Sequence, residues 1–193
     1  LLTHKSRLAS ISLLPEMYKV KAQRILDILT EIDNMKAAVN DESKCALKRN
    51  AAYATLIMSM PGIGPVATLA ILAYIGEGKR FSSAKQVSNY VGLVPKVTCS
   101  GDTKHYGRII RSGCTPIRRV IIQNAWTLIR TDQAGDLKEF FEKLRAKKGS
   151  KKAIVAVARK MIERIYRMLQ TGEIYRTMTE DVLAAKLRVY GLT

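Results

Sequence analysis

From about Glu16 to Val39, apolar residues return in a near-heptad rhythm. Tyr18, Ile25, Ile32 and Val39 recur every seven residues, Ile28 and Met35 fill the complementary positions, and Lys21 interrupts that second set. This seam predicts a long helix used in one of three ways: as a coiled-coil arm, as a hairpin packing on itself, or as one amphipathic helix docked on its own domain. Asn40-Asp41-Glu42-Ser43 breaks the rhythm, and a second helix is expected from there to Met58. Pro61 to Gly64 forms a corner, and Pro65 suits the first turn of a helix because it has no N–H to lose there. That helix, Val66 to Ile75, is apolar nearly all round and belongs in a core, with Gly76 and Gly78 ending it. Ser82 or Ser83 caps a short helix through Tyr90, which stops at Gly92 and Pro95.

The pattern then changes. In Lys96 to Ile110, KVTCSGDTKHYGRII, strand formers flank Ser100-Gly101-Asp102, which has the chemistry of a turn, so a small β-hairpin or extended loop is expected. Pro116 opens a helix to about Arg130, Gly135 to Ala146 forms another, and Ser150 caps a long helix to Leu169 that Gly172 ends. Thr179 caps a last short helix to Tyr190. The fold class is mainly α: a helical domain with a helix-hairpin-helix-like corner and one short β-hairpin, preceded by a coiled-coil helical arm. The expected divisions are an arm over 1–58, a domain over 59–172 and a helical tail over 173–193.

Charge narrows the partner. Thirty-three Lys and Arg against sixteen Asp and Glu leave +17 on 193 residues. Polyphosphate is the first candidate, because each cation placed on a phosphate releases condensed counterions; an anionic membrane surface or ribosomal RNA fits the bulk number equally well. No apolar run reaches the roughly 18 residues that span a bilayer, so no transmembrane helix is expected; with nucleic acid as the first candidate no membrane partner is expected, and the N-terminus has no secretory-signal pattern. Cys45, Cys99 and Cys114 form no CxxC pair, which fits a reducing cytoplasm and argues against a disulfide framework or a zinc site. The first residue is Leu rather than Met, so the chain is expected to be part of something longer.

Two places carry candidate chemistry. PGIGP between helices allows a backbone phosphate cradle at Gly62 and Gly64, or a purely structural corner. The hairpin region is richer: between Pro95 and Arg167 there are 18 Lys and Arg and 6 Asp and Glu, a net +12 of the chain's +17. Lys104, Arg108 and Arg111 surround the hairpin, Arg118 and Arg119 follow, and Arg145, Lys147, Lys148, Lys151 and Lys152 form a third cluster. That last run also reads as a solvated helix face. A serine beside a glycine on a turn flanked by cations suits phosphoryl transfer, since the hydroxyl is accessible and cations stabilise the charge developing on phosphate. Ser-Gly is equally at home in an ordinary turn, and His105 reads as a local base or as a bystander. The acidic residues are scattered, so no metal site is expected within this chain.

The order of blocks is more specific than any one block. SMPGIGPVATLAILAYIG, RFSSAKQVSNYVGLVPK, SGDTKHYGRIIRSG, PIRRVIIQNAW and KKAIVAVARKMI together resemble the C-terminal half of insertion-sequence transposases of the "IS one-ten" type. That family includes Piv-like DNA invertases and bridge-RNA-guided recombinases. The resemblance covers roughly Leu47 to Leu169, and the preceding helices look like the family's coiled-coil linker.

The resemblance implies a transposase domain in which the serine of a Ser-Gly motif attacks DNA and forms a phosphoserine link; the matching positions are Ser100 and Gly101. It implies DNA and a guide RNA as partners, homo-oligomers formed through the coiled coil, and a cytoplasmic, nucleoid-associated location. Lys104, Arg108 and Arg111 would hold phosphate or guide RNA. Mg²⁺ would belong to a RuvC-like half with four carboxylates, to which nothing in these residues corresponds, and one protomer's RuvC-like half would pair with another's serine. Three departures stand out: Asp102 where a second small residue is usual, Arg111 where lysine is usual, and Cys114-Thr115-Pro116 at a helix start that is usually more polar. The competing readings are a non-catalytic nucleic-acid-binding helical module and an inactive, truncated transposase remnant.

Overall fold

The computed structural model describes residues 13–100, 103–109 and 113–192, with 96–100 and 103–109 described as backbone. The described elements are α1 (Glu16–Arg49), α2 (Ala51–Ser59), α3 (Pro65–Ile75), α4 (Ala84–Val91), β1 (Pro95–Ser100), β2 (Thr103–Ile109), α5 (Thr115–Ile129), a single 3₁₀ turn (Asp132–Ala134), α6 (Asp136–Lys148), α7 (Ser150–Thr171) and α8 (Glu180–Val189). They fall into two compact units, Leu1–Ser43 and Lys44–Thr193.

In the first unit α1 is unbroken through Asn40-Asp41-Glu42-Ser43, where the sequence predicts a stop. Asn, Asp and Ser are weak helix formers but cost only tenths of a kcal/mol each, about 0.7 at most. None of them is the Gly or Pro that ends helices elsewhere in this chain. The interruption comes instead at Asn50, whose side-chain amide donates to the Ala46 carbonyl (3.1 Å) and whose backbone (φ −120°, ψ 36°) is non-helical.

The second unit is organised around α7, which packs against α2, α4, α5 and α6. Its residues Ala153, Ile154, Val157, Ala158, Met161, Ile162 and Ile165 are all buried at helical spacing. Around them close Ile57 and Met58 of α2, Ile71 of α3, Val87 and Val91 of α4, Ile117, Ile121 and Leu128 of α5, and Leu137 and Phe141 of α6. Trp126 meets Phe141 edge to face at 5.8 Å. The 173–193 segment joins the same core through Tyr175, Met178, Leu183 and Leu187.

Polar groups inside this core are paired. The buried Ser88 hydroxyl donates to Glu163 Oε1 (2.9 Å), which also accepts from Arg159 Nε (2.8 Å), tying α4 to α7. Asp136, at the first residue of α6, accepts from both Arg164 and Arg176, and these guanidinium groups hold its carboxyl well below the usual carboxylate range. Lys186 of α8 donates to the carbonyls of Met58 (2.6 Å) and Met60 (3.3 Å), closing the C-terminal end of α2; burial pushes its amine down to about 8.

Helix boundaries follow the turn residues. Ser83 caps α4 through the Gln86 N–H (3.3 Å), and Gly92, with φ +77°, ends it in the left-handed region. Ser150, expected as the cap of α7, is its first helical residue; Gly149 (φ +78°) occupies the cap position and offers no side-chain bond. The cause is a tight turn between α6 and α7 that needs a positive φ at residue 149, which glycine supplies and serine resists.

Candidate functional site

The PGIGP corner is built by packing. Pro61 and Ile63 are buried, and Gly62 has φ +79°. A Cβ on Gly62 would stand 2.8 Å from the Leu128 backbone nitrogen and 3.1 Å from the Asn124 carbonyl oxygen of α5. The absence of a side chain at Gly62 is thus accounted for by helix-on-helix contact. Gly64 is the N-cap of α3; its carbonyl accepts from both the backbone N–H (3.0 Å) and the hydroxyl (2.9 Å) of Thr68. Thr68, the polar residue in an otherwise apolar helix start, is thereby satisfied while fully buried.

The β-hairpin is an antiparallel ribbon. Ser100 closes β1 and pairs with Thr103, Cys99 with Lys104, Thr98 with His105 and Val97 with Tyr106. Directly opposed positions share a face, so 98, 100, 103 and 105 fall on one side and 97, 99, 104 and 106 on the other. Ser100 and His105 therefore occupy the same side of the ribbon, and the Lys104 position lies on the opposite one. Pro95 then pairs with Ile109, so Lys96 faces two residues, Gly107 and Arg108. This bulge returns position 108 to the side of position 100. Gly101 and Arg111 lie outside the described residues.

The base of the ribbon is held by a contact that the sequence pattern does not reveal. Gly113 crosses Gly92 so closely that a Cβ on it would lie 2.3 Å from the Gly92 Cα, 2.5 Å from its nitrogen and 2.8 Å from the Val91 carbonyl carbon. Beside this crossing the Cys114 N–H donates to the Tyr90 carbonyl (2.9 Å). Arg118, expected to contact nucleic acid, is half-buried; it reaches the Gly92 carbonyl (3.4 Å) and the Thr115 hydroxyl (2.9 Å). The chain thus leaves the core just after Leu93 and returns to it at Gly113, and the Ser100 ribbon lies between these two points, next to the Gly92–Gly113 clasp. Only the pairing of two glycines on either side of the hairpin hints at it in the sequence.

Of the remaining predicted cations, Arg119 is exposed at the start of the second turn of α5. Lys151 and Lys152 are exposed in the first turn of α7, next to Arg145, Lys147 and Lys148 in the last turn of α6. Arg145 pairs with Glu142 at 3.1 Å. The first turn of α7 holds no acidic residue, so two ammonium groups stand at the positive end of a 22-residue helix. That placement opposes the helix macrodipole and costs about 0.3–1 kcal/mol per charge. A depression of about 400 Å³ lies elsewhere, lined by Asn50, Tyr53, Leu69, Leu72, Ala73, Gly76 and Glu77, and takes in none of the predicted site residues. Among the described residues no three His, Cys, Asp or Glu come together as metal ligands, and no helix is long and apolar enough to cross a membrane.

Comparison with known proteins agrees with the block order. Residues 54–142 match the transposase family described as IS116/IS110/IS902. The chain is 31% identical over 173 residues to the transposase for insertion sequence element IS1111A of Coxiella burnetii, a match that takes in 86% of this chain and 46% of that protein. It is 25% identical over 150 residues to the insertion element IS110 43.6 kDa protein of Streptomyces coelicolor, covering 77% of this chain and 36% of the relative. With the pilin gene-inverting protein of Moraxella lacunata the identity is 29% over 119 residues, covering 61% and 37%. The chain spans less than half the length of each of these relatives. The matched residues run from α2 through the PGIGP corner, the ribbon, its clasp and α5 into α6, and this chain carries a transposase domain of the IS116/IS110/IS902 family.

Proposed function

We propose that this domain takes part in DNA strand cleavage and exchange, with Ser100 as nucleophile. The observation that carries the reading is the position of Ser100: last residue of β1, at the free end of a ribbon whose base is clasped to the core, within the residues that match the transposase family. In the proposed step the Ser100 oxygen forms a bond to a DNA phosphorus, one bridging P–O bond to deoxyribose breaks, and the departing sugar oxygen takes up a proton. The serine proton passes to a base; His105 is the group at hand on the same side of the ribbon. Phosphate charge at Ser100 is met by Arg108, whose position shares its side of the ribbon, and by Arg111, while Lys104 on the opposite side joins Arg119, Lys151 and Lys152 in extending the basic surface. Lys151 and Lys152 stand exposed in the first turn of α7, the helix end whose dipole also favours a phosphate, and that shared preference supports a binding role. Two further parts of the reading are a guide RNA held on the same basic surface and self-association through α1. The donor set of the described residues does not suit Mg²⁺, and no step here passes through a metal ion.

The experiment replaces Ser100 with Ala in a protein that carries this chain and cleaves its DNA ends. Cleavage and the covalent DNA–protein adduct should be lost, while DNA affinity at fixed salt stays within about threefold, since a serine hydroxyl contributes little to the counterion-release term. Undiminished cleavage by the variant would sink the assignment, and the non-catalytic binding module would then be the better reading.

A further inference from the structure

Because α1 runs unbroken from Glu16 to Arg49, the heptad frame of Tyr18, Ile25, Ile32 and Val39 continues through positions 40–43. Carried along that frame, the complementary positions within α1 are Lys21, Ile28, Met35 and Glu42. The apolar members of the seam are open: Ile25 is 59% exposed, Ile28 60%, Ile32 46%, Met35 60% and Val39 59%. An exposed stripe of this kind, about 30 Å long at 1.5 Å per residue, matches the footprint of one partner helix.

The two charges decide which partner fits. Lys21 and Glu42 are both exposed and stand three heptads apart, at opposite ends of the apolar stretch. Two copies aligned in parallel would set Lys21 against Lys21 and Glu42 against Glu42. Two antiparallel copies, with Ile28 opposite Ile32 of the second copy, also place Ile25 against Met35 in both directions. In that register Lys21 and Glu42 of the second copy lie within about 4.5 Å of each other along the axis, three residues' rise. Two-fold symmetry makes this opposite-charge pair twice. We propose that α1 pairs with α1 of a second copy in this antiparallel register, with Lys21 and Glu42 selecting its direction. The inference rests on the self-association proposed above and adds orientation and register to it. The two copies of Lys44, where the second unit begins, then lie about 40 Å apart along the seam, 28 residues at 1.5 Å each.

The test is a charge-swap cycle on the whole chain, read by sedimentation equilibrium, with circular dichroism to confirm that helix content is retained. The parent chain should associate reversibly from 21.5 kDa to twice that mass. Lys21→Glu and Glu42→Lys should each weaken the dimer about tenfold, because each turns two attractive pairs into two repulsive ones. The double variant should restore the parent affinity. In a parallel pair every variant would still face like charge with like, and the cycle would be flat. A flat cycle on a dimer, or a double variant weaker than either single, overturns the orientation alone. A parent chain that stays at 21.5 kDa at all concentrations overturns the self-association on which the inference rests.

Discussion

Replacing Gly113 with Ala tests the clasp at the base of the ribbon. The new methyl would sit 2.3 Å from the Gly92 Cα, 2.5 Å from its nitrogen and 2.8 Å from the Val91 carbonyl carbon. Carbon atoms rest about 3.5–4.0 Å apart, so one backbone must retreat by more than 1 Å. Gly92 cannot turn away freely, because its φ of +77° ends α4 and its neighbours Val91 and Leu93 are fully buried. Overpacking costs about 1–3 kcal/mol, and a backbone obstacle on both sides argues for the upper end. In a unit of this size about 3 kcal/mol lowers the melting temperature by about 6–12 °C.

The clash has a second outlet. The 113–114 segment could lift away, breaking the bond from the Cys114 N–H to the Tyr90 carbonyl and freeing Arg118 from the Gly92 carbonyl. Stability would then fall less, but the ribbon that carries Ser100 would lose its fixed base. The assay therefore pairs thermal melting with strand cleavage, and uses Gly64→Ala as the control. A Cβ at Gly64 meets nothing nearer than the Tyr190 hydroxyl at 3.9 Å, and its φ of −110° suits any residue. A loss of about 1 kcal/mol or less is expected there. If Gly113→Ala melts within about 2 °C of the parent and cleaves DNA as well as it does, the clasp has no part in positioning Ser100.

Two other perturbations test the basic helix start and the buried lysine. Lys151→Glu together with Lys152→Glu should raise stability by about 1–4 kcal/mol in total, because at each of two positions a cost of about 0.3–1 kcal/mol is removed and a gain of about the same size replaces it. The same double variant should bind nucleic acid more weakly, with a shallower salt dependence; a parallel loss or gain of both properties would contradict the assigned role. Lys186 should make stability rise with pH between about 8 and 10.5. In that window the unfolded chain holds a proton that the folded chain has released, so raising the pH favours the fold. Urea titrations across that range should show the slope in the parent and lose it in Lys186→Met, the comparison cancelling the other lysines and tyrosines.

Where the chain's own chemistry is local, the sequence was readable. Pro65 opens α3, Gly76, Gly92 and Gly172 end helices, and the apolar rhythm of Ala153 to Leu169 marks α7 as the central helix. These are single-residue conformational constraints or one-face periodicities, and tertiary context has little room to override them. Errors came where local signals were weak. Asn40 to Ser43 looked like a break because polar residues favour turns, yet no residue there forbids a helix and α1 carries through. Ser150 looked like a cap because serine usually is one, but the sharper requirement at residue 149 for a positive φ took that position for glycine.

The candidate site divides along the same line. The ribbon and the basic clusters are alternation and composition, and they were visible, while the turn expected at Gly101 and Asp102 lies outside the described residues. The roles of Gly113 and Arg118 were not, because they depend on residues 21 and 26 positions earlier in the chain meeting them in space. Arg118 shows the consequence: by count it belonged with the phosphate-binding cations, but its guanidinium reaches a backbone carbonyl and a hydroxyl at the foot of the ribbon. A cation spent on the scaffold differs from one offered to a ligand in what its removal does. Loss of Arg118 should loosen the ribbon and lower cleavage at saturating DNA, whereas loss of Arg119, exposed one residue on, should weaken binding and leave the saturated rate unchanged. Adjacent arginines of identical chemistry would thus separate into a positioning role and a binding role through the roughly 100° step between neighbouring residues of α5, which leaves Arg118 half-buried and Arg119 exposed.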